Sequence, residues 1–262
     1  MASASVPLVA LITAGTAGLG ATTARLFARS GMRVVVNYSS NSERAESLVA
    51  ELRSLSPFTP SDTTTTTTTT NFTAIQADLT SKSDISRLVT STVERMGRLD
   101  VVFSNGGWTQ IRGLDSLDDN VVEDDWDRCF NMNVKSHLWL MHAAKPYLEQ
   151  TEGVFITTAS LAGVKVSGSS LAYAVTKAAQ IHLVKGLALL AAPKIRVNSV
   201  SPGLMLTEWG LKFPPEKIAE MTQRTQLKRL ATVEDVAEQV LCFVKSKSVT
   251  GANAVIDGGM AL

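Results

Sequence analysis

The chain has 262 residues, of which 45% are hydrophobic and only 6% aromatic, so it carries enough apolar material for one large core. Its 25 lysines and arginines nearly balance 24 aspartates and glutamates, which argues against a nucleic-acid partner. The amino terminus has no basic stretch before its short apolar run at 8–12, so neither a secretion signal nor a membrane partner is predicted. We expect a cytoplasmic protein with a single domain over 1–262.

Cysteine and histidine give no sign of a disulfide framework or a metal site. Cys129 and Cys242 lie in no CxxC motif, and both are predicted to be small buried hydrophobic residues. His137, His142 and His182 lack the spacing of metal ligands and are expected to pack in the core or lie on the surface. No metal is predicted.

Short apolar runs, most of them rich in β-branched residues, alternate with stretches that have the period of a helix. The predicted strands are 8–13, 33–37, 73–76, 101–104, 154–158, 196–200 and 254–257. The predicted helices are 21–30, 42–55, 81–96, 122–148, 171–190 and 233–244. Apolar strands separated by helices are typical of a parallel sheet buried on both faces. We therefore predict an α/β fold, a doubly wound parallel sheet with helices on both faces and right-handed crossovers.

One segment, 56–71, breaks this alternation between the second helix and the third strand. It contains prolines at 57 and 60 and continues into eight consecutive threonines at 63–70. A threonine homopolymer buries little apolar area, so a flexible surface insert is predicted. An extra strand is the alternative, because threonine favours β structure.

The first predicted strand ends in a glycine-rich turn, Thr13-Ala-Gly-Thr-Ala-Gly-Leu-Gly20, and a helix opens near Gly18. Glycines allow the backbone to approach a ligand closely, and the free N–H groups at a helix start bind phosphate. A glycine turn between a strand and a helix therefore predicts a site for the pyrophosphate of a dinucleotide. The alternative is a tight turn that binds nothing.

Tyr173 and Lys177 lie four positions apart in Ala172-Tyr-Ala-Val-Thr-Lys-Ala178, which places them on one face of a helix. An ammonium beside a phenol favours the phenolate, so the pKa of Tyr173 is expected to lie below its usual value of about 10. This spacing alone is a weak signal, but Ser160 ends a predicted strand thirteen positions earlier. An isolated serine there would be a loop or capping residue.

With these motifs, the chain resembles the short-chain dehydrogenase/reductase family over nearly its whole length, apart from the threonine segment. The family pattern Thr-Gly-x-x-x-Gly-x-Gly is matched at Thr13, Gly18 and Gly20, whereas Ala14 replaces its first glycine and is followed by Gly15. The resemblance implies a Rossmann-like fold and hydride transfer between a nicotinamide cofactor and a ketone or secondary alcohol.

The resemblance also implies a catalytic tetrad of Asn133, Ser160, Tyr173 and Lys177. Asn133 is preferred over Asn131, because the Asn-Val step of the family falls there. Tyr173 is expected to act as acid or base, and Ser160 to bind the carbonyl oxygen. Lys177 is expected to lower the pKa of Tyr173 and to hold the nicotinamide ribose, while Asn133 holds a water in the proton relay.

Cofactor-binding residues are expected at the ends of successive strands. They are Thr13, Gly15, Gly18, Leu19, Gly20, Asn37, Ser39, Ser40, Asp78, Leu79, Asn105, Gly107, Tyr173, Lys177, Pro202, Gly203 and Thr207. By resemblance Asp78 contacts the adenine ring, although a cap for the helix predicted from 81 is an alternative. Asn105 and Gly107 lie in Ser104-Asn-Gly-Gly107, where the family has Asn-Asn-Ala-Gly. Thr207 resembles a threonine that contacts the nicotinamide carboxamide.

The end of the second strand indicates the cofactor. Relatives that prefer NAD carry an acidic residue near the position of Asn37 to bind the adenosine ribose, but this chain reads Val36-Asn-Tyr-Ser-Ser40. Ser39, Ser40 and Arg44 can bind the 2′-phosphate of NADP, which a carboxylate would repel. NADP(H) is therefore predicted in preference to NAD(H), with reduction as the direction in the cell.

The segment 204–224 is predicted to be a substrate lid. Met205, Trp209 and Phe213 are expected as apolar walls of a site for a small carbonyl or alcohol, together with Trp108, although ordinary packing is an equal alternative. By resemblance, the tail 249–259 takes part in the contacts of a homotetramer.

Two other functions remain open. A dinucleotide-sensing regulator would bind the cofactor without catalysis, but it would be expected to have lost Tyr173 or Lys177. The same fold could also serve an isomerase or a dehydratase.

Overall fold

The computed structural model describes residues 6–58 and 70–262. Their strands form one parallel sheet in the order β3-β2-β1-β4-β5-β6-β7. The strands are β1 Val9–Ile12, β2 Arg33–Tyr38, β3 Phe72–Gln76, β4 Val101–Ser104, β5 Val154–Thr158, β6 Arg196–Pro202 and β7 Asn253–Ile256. The strand order reverses between β1 and β4, which in open α/β sheets marks the crevice where ligands bind. The predicted doubly wound α/β fold is confirmed.

Helices cover both faces of this sheet. They are α1 Gly18–Arg29, α2 Ser42–Leu55, α3 Lys82–Met96, α4 Glu123–Phe130, α5 Ser136–Thr151, α6 Leu171–Ala191, α7 Pro215–Arg224 and α8 Val233–Lys245. Strand residues alternate between the faces: Ala10 and Ile12 of β1 pack with α1, α2 and α8, whereas Val9 and Leu11 pack with α3, α5 and α6. The central strands β1, β4 and β5 are therefore buried on both sides, which explains why their sequences are largely apolar.

The helix predicted over 122–148 is interrupted. A π-helical turn, Asn131–Lys135, separates α4 from α5. Such turns insert one residue into the helical path and are frequent at functional sites. This turn contains Asn133. Its side chain is fully buried and forms hydrogen bonds with Trp108 and Thr176, which lie outside the helix.

Two other expectations can be compared with the fold. The lid segment contains α7, a helix with no fully buried residue. Cys242 is exposed rather than buried, because it lies on the outer side of α8, while Cys129 is buried as expected. The threonine insert falls largely on 59–69, outside the described residues. Nothing in the described part of the chain has a helix of the length and apolarity that crossing a membrane requires.

Candidate active site

A cleft of about 480 Å³ opens above the carboxyl ends of β1, β4, β5 and β6. This cleft is lined by many of the residues predicted from the sequence to bind the cofactor, to catalyse the reaction or to contact the substrate. They are Gly18, Leu19, Asn105, Gly107, Ser160, Tyr173, Lys177, Pro202, Gly203, Met205, Thr207, Trp209 and Phe213. The sheet thus brings residues from the first strand and the last third of the chain to one site.

The glycine turn closes one end of the cleft. A Cβ on Gly15 would lie 2.8 Å from the carbonyl oxygen of Ile12, so only glycine fits there. Ala14 adopts a φ of 47°, a left-handed conformation that strains an alanine and that glycine would adopt freely. Ala17, the N-cap of α1, makes no side-chain capping bond. The first N–H groups of α1 therefore have no side-chain acceptor at its N-cap.

Thr13 and Asn105 connect the turn to the neighbouring strand ends. The Thr13 hydroxyl accepts from the backbone N–H of Asn105 at 2.9 Å, and it is buried. The Asn105 side chain donates to Ala14 O at 3.3 Å and accepts from the Thr158 hydroxyl at 2.9 Å. Thr13 therefore supports the turn from behind, whereas Asn105 also lines the cleft.

Asn37 does not face the cleft, contrary to its expected contact with the cofactor. It is 1% exposed, its Oδ1 accepts from Ala14 N at 3.1 Å, and its Nδ2 donates to Ala77 O at 3.1 Å. Both ends of the amide are thus used to join β1, β2 and β3. The end of a parallel strand beside the glycine turn leaves polar backbone groups that such a buried amide satisfies.

Ser39, Ser40 and Arg44 lie beyond β2, in the turn before α2 and in its first residues. Ser39 and Ser40 are exposed. The Arg44 guanidinium forms an ion pair with Glu208 of the predicted lid, 3.1 Å from its Oε1. This contact joins the adenosine side of the predicted cofactor site to the segment that follows β6.

Asp78 forms a local turn and does not cap the following helix, because Ser81 is the N-cap of α3 and accepts from Asp84 N. The Asp78 Oδ1 accepts from the N–H and the hydroxyl of Thr80, both at 2.8 Å. Leu79 is buried, and a Cβ on Gly106 would collide with its side chain. Neither residue lines the main cleft.

Ser160 is positioned by a 3₁₀ turn, Leu161–Gly163, that packs on α6. A Cβ on Gly163 would lie 2.5 Å from the carbonyl carbon of Lys177, so the two backbones meet only because this residue is glycine. The Ser160 hydroxyl accepts from Ala162 N at 3.1 Å, and it acts on the Tyr173 phenol so as to lower the pKa of that group. Serine and tyrosine hydroxyls thus face one another in the cleft.

Burial raises the pKa of Tyr173 to about 12, although the neighbouring Ser160 hydroxyl acts in the opposite direction. This differs from the expectation that Lys177 lowers that pKa. The Lys177 ammonium lies 5.6 Å from the centre of the Tyr173 ring, and its hydrogen bonds run elsewhere. Desolvation of the phenolate therefore dominates, and the phenol keeps its proton at neutral pH.

Lys177 is 3% exposed. Its Nζ donates to Thr158 O at 2.8 Å and to Gln180 Oε1 at 2.9 Å. Burial lowers the pKa of Lys177 to about 7, because the charged form loses its hydration. The ammonium nevertheless faces the cleft, since a Cβ on Gly107 would lie 3.7 Å from Nζ.

Asn133 lies behind this group. Its Oδ1 accepts from Trp108 N at 2.8 Å, and its Nδ2 donates to Trp108 O at 2.9 Å and to the Thr176 hydroxyl at 3.0 Å. The π-helical turn thereby holds both the loop after β4 and α6. Ser160, Tyr173 and Lys177 line the cleft, whereas Asn133 lies behind them and does not line it.

Of the four apolar residues predicted to contact the substrate, three line the cleft and one does not. Trp209 lies over Tyr173, with ring centroids 6.1 Å apart, and Met205 and Phe213 also line the cleft. Trp108 does not line it, because its ring packs 4.3 Å beneath the Arg128 guanidinium on α4. Trp108 is therefore a packing residue of the adjoining loop.

Gln180 and His137 were not predicted for the site, although they contact its centre. Gln180 accepts from Lys177 and bonds to His137, which in turn bonds to Ser104. The sequence held one signal: Gln180 follows Lys177 by three positions and so shares its helix face. His137 was assigned to packing or the surface, and its polar partners depend on the tertiary fold.

Comparison with known proteins agrees with this architecture. A family model described as enoyl-(acyl carrier protein) reductase matches residues 13–261. The 3-oxoacyl-(acyl-carrier-protein) reductase FabG of Thermotoga maritima is 31% identical over 258 residues, which cover 97% of this chain and 98% of the relative.

Solved structures with nicotinamide cofactors share the fold. A 7 alpha-hydroxysteroid dehydrogenase complexed with NADH and 7-oxo glycochenodeoxycholic acid gives a TM-score of 0.84 at 29% identity, covering 96% of this chain and 93% of that chain. A short chain dehydrogenase from Burkholderia cenocepacia in complex with NADP gives 0.83 at 29% identity, covering 97% of both chains. The chain described here belongs to the short-chain dehydrogenase/reductase family of oxidoreductases.

Proposed function

We propose that this protein is an NADP(H)-dependent oxidoreductase that interconverts a ketone and a secondary alcohol. The observation that carries the proposal is the meeting of Ser160, Tyr173 and Lys177 in one cleft with the glycine turn. Two hydroxyls and an ammonium form an acid–base site, and the turn offers backbone N–H groups for a pyrophosphate. This combination suits carbonyl reduction better than simple nucleotide binding.

The residues present fit a nicotinamide dinucleotide. Side chains at Gly15 and Gly20 would collide with backbone atoms of their own turn, so the turn is shaped to leave the start of α1 open to an anion. Lys177 has an N–H beyond those given to Thr158 and Gln180, which would hold a ribose hydroxyl. Gly203 and Thr207 line the same cleft and would border the nicotinamide.

When bound, the cofactor supplies the hydride for reduction or accepts it for oxidation. Tyr173 keeps its proton at neutral pH, because the pKa of its phenol is raised to about 12. In reduction it donates that proton to the substrate oxygen, while Ser160 donates a hydrogen bond to the same oxygen. Lys177 and Asn133 fix the surroundings of the tyrosine, and Trp209 covers the ring from the lid side. A protonated phenol at rest favours the reductive direction.

The preference for NADP(H) is supported by the turn after β2. Ser39 and Ser40 are exposed there, Arg44 adds a cation near the start of α2, and no carboxylate occupies 36–40. Hydroxyl groups and a guanidinium bind phosphate well. The homotetramer and the cytoplasmic location stay predictions.

The test is oxidation of NADPH and of NADH, at equal concentrations, against a panel of ketones, aldehydes and acyl thioesters. We expect turnover with at least one carbonyl class, faster with NADPH, and a loss of at least 100-fold in kcat for Tyr173→Phe with NADPH binding retained. Tyr147→Phe, a change on α5 away from the cleft, is the matched control.

The other functions give different results. Tight NADPH binding with no turnover across the panel would favour a sensor, and conversion of substrate without net cofactor oxidation would favour an isomerase or a dehydratase. Equal or better use of NADH would overturn the cofactor preference alone.

A further inference from the structure

A chain of buried polar side chains runs beneath the cleft, between α5, α6 and the ends of β4 and β5. The Ser104 hydroxyl lies 2.6 Å from His137 Nδ1, and His137 Nε2 lies 3.0 Å from Gln180 Nε2. Gln180 Oε1 then accepts from Lys177 Nζ at 2.9 Å. Ser104, His137 and Gln180 are each at most 2% exposed. Water does not compete with these bonds at such burial.

The contacts fix the orientation of the Gln180 amide. Its Nε2 has two hydrogens, and these point to Thr158 O at 3.2 Å and to His137 Nε2. An amide rotated by half a turn would place Nε2–H groups against the Lys177 ammonium and its oxygen against a carbonyl. His137 must therefore accept at Nε2 and carry its proton on Nδ1, from which it donates to Ser104.

His137 keeps this arrangement throughout the neutral range. Burial and the nearby Lys177 lower its pKa to about 3, so the ring stays neutral. A protonated ring would present an N–H to the Gln180 amide nitrogen and would break the chain. The neutral state is thus a requirement of the geometry and is also the favoured state of the buried ring.

We propose that Gln180 is a positioning residue for Lys177, held by His137 and Ser104, whose amide oxygen stabilises the charged ammonium and leaves one of its N–H groups directed into the cleft. Thr158 O and Gln180 Oε1 take two of the three N–H groups. The third remains for the cofactor ribose, a consequence that rests on the proposed function.

The surroundings of Lys177 stabilise its ammonium through neutral hydrogen-bond acceptors rather than through an anion. Titratable groups that interact with it are Tyr173 on its own helix, Cys129 on α4 and His137 on α5. None of these three groups is a carboxylate, and Tyr173 and His137 are neutral near pH 7. The backbone carbonyl of Thr158 and the Gln180 oxygen are therefore the acceptors that offset the lost hydration of the ammonium.

The proposal predicts opposite shifts in the titration of Lys177 for two substitutions. Gln180→Met keeps the side-chain volume but removes the acceptor, so the ammonium is less stable and its pKa falls. Gln180→Glu places a carboxyl group at the same position, so the pKa rises. We expect shifts of about one pH unit in each direction, a tenfold change in the ratio of charged to neutral amine.

The measurement is the rate of amine acetylation at Lys177 as a function of pH, followed by mass spectrometry of its peptide in the folded full-length protein. Gln150→Met, an exposed change on α5, is the matched control and should leave the midpoint unchanged. His137→Phe removes the group that orients Gln180, so it should also lower the midpoint of the acetylation profile. It provides a second test if Gln180→Met does not fold.

Equal midpoints in the wild type, Gln180→Met and Gln180→Glu would overturn the proposal, as would a fall in both variants. Labelling requires no turnover, so the outcome is independent of the proposed function. If the protein also reduces a carbonyl, the alkaline limb of its pH profile with NADPH should move with the midpoint. A loss of kcat that is uniform across pH would indicate a merely structural role.

Discussion

Asn37 and Ser39 stand two positions apart at the end of β2, but only one of them is available to a ligand. Asn37 is buried and joins three strands through its amide, whereas Ser39 is exposed in the following turn. Asn37, near whose position relatives that prefer NAD carry an acidic residue, therefore has a structural function in this chain. Cofactor preference should depend on the exposed neighbours instead.

Asn37→Asp should destabilise the protein without converting it to NAD. The new carboxylate could still accept from Ala14 N but could not donate to Ala77 O. It would also be buried without a neutralising cation, so we expect a loss of about 3 kcal/mol in the free energy of unfolding. Urea denaturation measures this loss. Unchanged stability together with a gain in NADH affinity would contradict the assignment of Asn37.

Ser39→Asp is the matched control, because it introduces the same charge at an exposed site. Its stability should stay within about 0.5 kcal/mol of the wild type. NADPH affinity, measured by fluorescence titration, should fall by about tenfold through repulsion of the 2′-phosphate, while NADH affinity is maintained.

At the scale of elements, two segments differ from the sequence prediction for physical reasons. The helical period of 122–148 continues through the π-helical turn, because an inserted residue leaves the pattern on either side intact. Asn133 in this turn bonds to the loop at Trp108, which lies 25 positions away. Sequence periodicity cannot show such a contact.

The helix α7 was predicted only as part of a lid. Its few apolar residues do follow a helical period, but none of them is fully buried, so the core holds this helix less firmly than the others. Pro215 and Glu216 in its first turn and Arg224 in its last turn are typical helix-end residues and are local signs of this helix. Its placement depends on the segment after β6, which turns back over the cleft.

The ion pair between Arg44 and Glu208 connects α2 with this lid segment, and it should oppose NADPH binding. Glu208→Gln frees the guanidinium for the 2′-phosphate and removes a nearby negative charge. Since an exposed pair contributes about 0.2–1 kcal/mol, we expect the Kd of NADPH to fall by about two- to fivefold and that of NADH to stay the same. Fluorescence titration at low and high salt measures both values.

Glu216→Gln removes the same charge at an exposed position at the start of α7. It therefore separates the loss of the Arg44–Glu208 ion pair from the change in net charge. An equal gain in NADPH affinity for the two variants would show that the ion pair is irrelevant. Equal gains for NADH and NADPH in Glu208→Gln would instead assign the effect to lid opening.

For the molecule as a whole, the sequence predicted what repeats locally and missed what the fold brings together. The apolar strands, the helices between them and the glycine turn follow from short patterns, so the sheet and the place of the cleft could be predicted. The contact of Gln180 with His137 and that of Arg44 with Glu208 span 43 and 164 positions. Such contacts exist only after the parallel crossovers have aligned distant strand ends.

Burial of Lys177 should make the stability of the whole protein depend on pH. Its pKa is lowered to about 7 in the folded state, whereas an unfolded lysine holds its proton up to a pH of about 10.4. Between these values unfolding takes up a proton, so the free energy of unfolding should rise with pH, by at most about 1.4 kcal/mol per pH unit. Below pH 7 both states are protonated and this dependence ends.

Other buried groups with shifted pKa values titrate mainly outside the window from pH 7 to 8. The pKa of His137 is lowered to about 3, so this group affects stability only below the ordinary pKa of histidine. The pKa values of Cys129 and Tyr173 are raised to about 11 and 12, so these groups lower stability from about pH 8 upward, where the unfolded thiol begins to lose its proton. Lys177→Met should therefore remove the rise in that window, although it leaves two acceptors unpaired and shifts stability at every pH. Urea denaturation at fixed protein concentration measures the slope, and parallel profiles for the wild type and the variant would show that Lys177 is not the group responsible.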